Sequence, residues 1–209
     1  KFAERNHVLI VAPVLGGADF IDYRTLEGRV VTPDAFVDAL ADGPVRSALP
    51  RSSGRFCIHG HSAGGQFVAR FVVAHPDRIE CAYLSAPSTY AMPTEIVDWP
   101  FGMAPGKSPR VAPSKVSWIS AAAGAPVEVI VGSRDVEPRP SAPGQIGTSR
   151  LDRGRAWVAA MRSLARKSGR IPNVRFTEVP GLAHEEHRMA LAAQTMLHSY
   201  YVASLASAK

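Results

Sequence analysis

Five residues, Gly60-His61-Ser62-Ala63-Gly64, have to turn the chain from a short apolar run at 56–58 into a helix-compatible run at 66–74. A strand, a sharp turn and a helix in that order leave little room where they meet, and glycine on either side of the turn lets the two elements approach. A residue at the centre of such a turn is held in a strained backbone conformation with its side chain clear of the main chain. It also lies beside the first N–H groups of the helix, where the positive dipole end favours an anion. Ser62 is therefore the candidate nucleophile, and the backbone N–H of Ala63 the candidate donor to an oxyanion. The five-residue pattern is weak by itself in a chain with 17 glycines; the strand before it and the helix after it carry the reading.

The same alternation runs through the chain. Residues 7–12 (HVLIVA) form an apolar run closed by Pro13, as expected of a strand covered on both faces. Residues 14–31 read as a long surface loop. Thr32-Pro33-Asp34 opens a helix over 35–40, with threonine at the cap and proline at the first helical position. The helix after Ser62 has to end near His75-Pro76, because proline disfavours helical geometry in the residue before it. Strands are expected at 80–85, 126–132 and 174–179, an amphipathic helix at 151–167, a loop at 180–184 and a closing helix at 185–204. This order predicts an α/β fold, a mostly parallel sheet flanked by helices, with the carboxyl ends of the strands along one ligand-binding edge.

Residues 86–125 differ in texture. Pro87, Pro93, Pro100, Pro105, Pro109 and Pro113 alternate there with Tyr90, Met92, Trp99, Phe101 and Trp118. Proline at this density blocks long regular elements, while the aromatics need burial. The expectation is one domain over 1–209 with a lid-like insertion at about 87–125. Tyr90, Met92 and Trp99 are then candidate substrate-binding residues, weighed against plain lid packing.

Partners for Ser62 follow from the sheet edge. Asp135 comes just past the apolar run ending at Gly132, and His184 just past the run ending at Val179, so both reach the edge that carries Ser62. Their chain order, Ser, Asp, His, is that of one known arrangement of nucleophile, acid and base. His59 falls within a strand and His61 beside the turn, as packing or hydrogen-bond residues. His187 belongs inside the closing helix and faces solvent. Nothing calls for a cofactor, and His184-Glu185-Glu186-His187 spaces its histidines three apart with no third ligand, so no metal is expected.

Composition sets the outer bounds. Of 209 residues, 46% are hydrophobic and 20% charged, which is enough for a sizeable core. The net charge of +6 comes from 24 Lys and Arg scattered along the chain without a nucleic-acid motif, so a solvated basic surface is expected rather than a nucleic-acid partner. No apolar run is long enough to span a membrane. Cys57 and Cys81 both fall in apolar, strand-like runs and read as buried free thiols, with a disulfide between them left open, and with it the compartment. Oligomeric state is open too.

Gly60-His-Ser-Ala-Gly-Gly65, Gly132-Ser-Arg-Asp135 and Pro180-Gly-Leu-Ala-His184 resemble the nucleophile, acid and histidine motifs of α/β-hydrolases. The stretch 86–94 and Trp99-Pro-Phe-Gly102 are similar to serine esterases of the polyhydroxybutyrate-depolymerase and feruloyl-esterase type. The resemblance implies that Ser62, His184 and Asp135 cleave a small-molecule or polymeric ester. It also implies that a further strand, with a second oxyanion donor, lies between the 7–12 run and the strand leading to Ser62. On that reading the 209 residues lack amino-terminal strands, the sheet has a gap or a rearranged neighbour, and the chain is part of a longer one. The alternative class is a catalytically weak or inactive hydrolase-like domain that serves as a binding or structural module.

Overall fold

Four apolar runs become strands because each is bounded by turn residues and rich in β-branched or aromatic side chains. They are β1 (Phe56–His61), β2 (Ile79–Ser85), β3 (Val127–Gly132) and β4 (Val174–Val179), all parallel, in the order β1-β2-β3-β4. The computed structural model describes residues 2–17, 19–20, 22–106, 111 and 113–207, with side chains to residue 203. The helices are α1 (Phe2–Asn6), α2 (Pro33–Leu40), α3 (Arg46–Ala48), α4 (Ala63–Ala74), α5 (Lys115–Ala123), α6 (Arg150–Lys167) and α7 (Glu186–Ser207). Thr32 is the N-cap of α2, with Pro33 in its first turn, and α4 stops at His75 before Pro76.

Alternation along the strands sends side chains to two cores. Ile79, Ala82, Leu84, Val127, Val129 and Val131 join α4, α5 and α6 on one face, around Phe67, Phe71, Trp118 and Trp157. Cys81, Tyr83 and Ile130 face α7 on the other, meeting Met189 and Ala193.

Three expectations are corrected. First, the run 7–12 is not a strand of this sheet. A strand needs a hydrogen-bonded neighbour, and residues 8–13 are held off the outer edge of β1 by a cavity of about 630 Å³ that both border. Leu9, Ile10 and Val11 are accordingly half exposed. A cavity, and not a paired strand, therefore lies beside the strand leading to Ser62.

Second, Cys57 and Cys81 are not free thiols. They face each other in register across β1 and β2, with Cα atoms 4.4 Å apart, and form a disulfide. Parallel neighbours can be bridged here because a register irregularity at Phe56/Cys57 brings the two residues directly opposite.

Third, the stretch 86–125 contains α5, since no proline interrupts residues 114–125 and Ser114 caps the helix by accepting from the Ser117 N–H. Tyr90, Trp99 and Trp118 belong to the main core. Tyr90 stacks on Trp157 at 5.3 Å, and Trp99 meets Trp118 edge-on at 6.4 Å. Pro109 of that stretch lies outside the described residues.

Candidate active site

β1 ends at His61, and the next residue, Ser62, has φ 51° and ψ −110° before α4 begins at Ala63. That backbone is unfavourable for a residue with a Cβ. Two bonds hold it: the Ser62 N–H donates to the Ser85 carbonyl at the end of β2 (2.8 Å), and the Ser62 carbonyl accepts from the Gln66 N–H (3.1 Å). Glycine is required at 60, where a Cβ would lie 2.3 Å from the Gly64 carbonyl carbon. The second close approach is not at Gly64, where a Cβ would meet nothing, but at Gly65, which abuts the Ser85 carbonyl oxygen.

Ser62 Oγ lies 3.0 Å from His184 Nε2, and His184 Nδ1 lies 2.9 Å from Asp135 Oδ2. An ionised carboxylate can only accept, so Nδ1 carries the ring proton and Nε2 is left to accept from the Ser62 hydroxyl. The sheet edge thus brings the serine, histidine and aspartate expected from the sequence into one chain of hydrogen bonds. The loops bearing the acid and the histidine are also stitched together: Ser133 N–H donates to the Val179 carbonyl, Arg134 N–H to the Leu182 carbonyl and Gly181 N–H to Ser133 Oγ. Glu185, another acid near the histidine, instead accepts from the Ala183 N–H.

Asp135 is buried and has a second side-chain donor that sequence reasoning missed. Arg150 Nη1 donates to Asp135 Oδ1 at 2.9 Å, and both residues are buried. Burial alone would raise the Asp135 carboxyl, but the hydrogen bond from His184 and the Arg150 charge outweigh it and hold the group below the usual carboxylate range. A signal was available: arginine at the first position of a helix, directly after the Ser149 cap, is unexpected there on electrostatic grounds.

The neighbouring histidines are placed as expected. His59 is in β1, exposed along the side that lines the cavity, and its Nε2 is 3.0 Å from Ser85 Oγ; the protein packed around the rest of the ring strips away hydration and lowers its pKa to about 4, with the nearby His61 adding to the effect. His61 packs its ring on His184, and burial, then the charge of His184, lower its pKa. His187 is exposed on α7. The Ala63 N–H is among the first of α4, where no intrahelical acceptor exists.

Tyr90 and Met92 are buried, and Trp99 is 9% exposed, so nearly all their surface is spent on the core. Among the described residues, no cluster of His, Cys, Asp and Glu could hold a metal ion, and no helix is long and apolar enough to cross a membrane.

No protein-family profile matches the sequence, and no curated protein matches it in sequence. Solved structures do. The chain is similar to poly(aspartic acid) hydrolase-1 from Sphingomonas sp. KT-1, with 27% identity and a TM-score of 0.68 over 81% of this chain. It is also similar to LpqC, a poly(3-hydroxybutyrate) depolymerase from Bordetella parapertussis, with 24% identity and a TM-score of 0.76 over 94% of this chain. It spans 64% of the first protein and 70% of the second. With its parallel sheet flanked by helices and these likenesses, the chain has the α/β-hydrolase fold.

Proposed function

We propose that the protein is a serine hydrolase that cleaves carboxylic esters through an acyl-enzyme intermediate. The observation that carries this reading is the unbroken hydrogen-bond chain from Ser62 through His184 to Asp135, with Ser62 held at positive φ on the carboxyl edge of the sheet. Ser62 Oγ attacks the ester carbonyl carbon while His184 Nε2 takes its proton. Asp135 keeps the ring in the tautomer that can do so and stabilises the imidazolium. The oxyanion develops beside the Ala63 N–H at the positive end of α4. His184 then returns the proton to the departing alkoxide, and water repeats the sequence on the acyl-enzyme, releasing the acid and free Ser62.

An ester substrate, small or polymeric, is favoured by likeness to a protein described as a poly(3-hydroxybutyrate) depolymerase. The described residues within 87–125 act on this reading as a packed wall. Tyr90, Met92 and Trp99 set its shape from behind, since so little of their surface is open.

A second reading, a hydrolase-like domain with weak turnover, is favoured by the cavity beside β1, which leaves the strand bearing Ser62 supported from one side. A serine-directed phosphonate and p-nitrophenyl esters separate the two. The esterase reading expects covalent labelling of Ser62 together with turnover, both abolished in Ser62→Ala. Labelling without turnover supports the second reading, and turnover persisting in Ser62→Ala would exclude Ser62 as nucleophile.

A further inference from the structure

Asp135 divides its two carboxylate oxygens between a permanent cation and a ring that becomes one only during the proposed reaction. Oδ2 accepts from the His184 ring, whose charge appears only when it takes the serine proton, and Oδ1 accepts from Arg150, which is always charged. Arg150 is an unexpected residue for its place. It opens α6, where the positive end of the helix dipole opposes a cation, and its Nε is buried without a hydrogen-bond partner. An apolar side chain of similar length would avoid both penalties. The capping box of Ser149 and Asp152 fixes the start of α6 without it. What the guanidinium does that methionine could not is grip one oxygen of the carboxylate and thereby aim the other.

We propose that Arg150 is a positioning residue for the hydrolysis proposed above: it locks Asp135 in the rotamer that faces His184 and offsets part of the carboxylate charge felt by the imidazolium. This rests on the hydrolase reading. The other charged or titratable groups around Asp135, His184 and Arg150 are His61, whose ring packs on His184 from β1, Tyr90, whose phenol feels Asp135, and the buried Arg153 of α6, which feels the Arg150 charge and donates to the Ser88 and Pro140 carbonyls; Glu186 of α7 acts on His61, and Glu185 is engaged by the Ala183 N–H. Arg150 is the one among them in hydrogen-bond contact with Asp135.

The test uses Arg150→Met, which keeps buried apolar volume, and Arg150→Lys, which keeps the charge. For hydrolysis of p-nitrophenyl acetate, Arg150→Met is expected to lower plateau kcat/KM by about 10-fold to 100-fold through misplacement of the acid. It is also expected to move the acid limb of the pH profile upward by about one pH unit, because an unshared carboxylate stabilises the imidazolium more. Arg150→Lys keeps the acid limb where it is. In an Asp135→Asn background, Arg150→Met has no further effect on the phosphonate labelling rate, since its route is removed. An unmoved acid limb in a folded Arg150→Met, or equal losses in both backgrounds, overturns the proposal. If Arg150→Met does not fold, a shifted limb in Arg150→Lys does the same. Ring titration of His184 followed by NMR in Ser62→Ala protein reads the shift without turnover. Its absence counts against Arg150 alone, whereas absent turnover in the parent protein counts against the hydrolase reading.

Discussion

The imidazole of His61 packs on that of His184, with ring centroids 4.7 Å apart and the planes 33° from parallel. His61 Nδ1 is buried without a hydrogen-bond partner, so this residue holds the proposed base by contact and not by a bond. His61→Phe is expected to keep kcat within a few-fold of the parent, because the ring surface is retained. His61→Ala, which frees His184 to tilt, is expected to lower kcat by about 10-fold to 100-fold with KM little changed. Steady-state kinetics on p-nitrophenyl esters decide it, and equal rates in the two variants would remove His61 from any orienting role.

Asp135→Asn tests the acid. An asparagine can offer its amide to the imidazole and leave the wrong ring nitrogen protonated, so turnover is expected to fall on the order of 10³- to 10⁴-fold with folding retained. His187→Ala, on the exposed face of α7, is expected to leave the rate unchanged. A large loss in His187→Ala together with a small one in Asp135→Asn would reassign both roles.

Stability should fall on mild acidification. His59 and His61 both have folded pKa values below the ordinary value of 6.5, His59 down to about 4, chiefly because burial disfavours the charged ring. Between those limits the unfolded chain binds more protons than the folded one, so stability declines as pH drops from above 6.5 toward 4. His75 works in the opposite sense. Burial alone would lower its pKa, but the hydrogen bond to Asp34 at 2.7 Å raises it, so its contribution is present below the ordinary histidine value and lost as pH rises through the folded one. Thermal melts are expected to show a drop in Tm on the acid side that shrinks in His59→Gln and steepens in His75→Gln. An acid slope unaffected by either change would mean that other groups govern it.

Reduction of the Cys57–Cys81 disulfide opens a loop with a sequence separation of 24 residues. Chain-entropy reasoning for a loop of that size gives about 3 kcal/mol of stabilisation, which for a chain near 200 residues amounts to a Tm decrease of roughly 6–12 °C. A melt in dithiothreitol, checked against the Cys57→Ala/Cys81→Ala protein, measures it. Identical melts under oxidising and reducing conditions would refute the stabilising role.

Local rules made the sheet and the serine turn readable. β4 falls on its expected residues, and Ser62, Asp135 and His184 come together as their places at strand ends require. Three of the failures share one physical origin, since each depended on what lies beside a segment in space. Residues 7–12 have the composition of a buried strand, yet strand formation is decided by a partner edge, and theirs is separated by a cavity. Two cysteines in separate apolar runs give no indication of register, and register made the disulfide. Arg150 could be noticed as an oddity of helix placement, but its partner lies 15 residues back across a loop. The miss at 86–125 was local: the prolines run from 87 to 113 and then stop, leaving 114–125 free to wind into α5.

Gly132 closes the gap between the two loops that carry the proposed acid and base. A Cβ there would lie 2.3 Å from the Leu182 carbonyl oxygen and 2.6 Å from that of Ala183, so the backbone after β3 and the backbone before His184 are in direct contact. With three hydrogen bonds across the same seam, thermal displacement of one loop carries the other with it. The Asp135–His184 distance is thereby insulated from breathing of the sheet, while Ser62, just past the end of β1, is tied through the Ser85 carbonyl to β2 and not to either loop. Fluctuation of this site is expected to be felt at the serine–histidine bond, the one across which the proton passes in the proposed reaction.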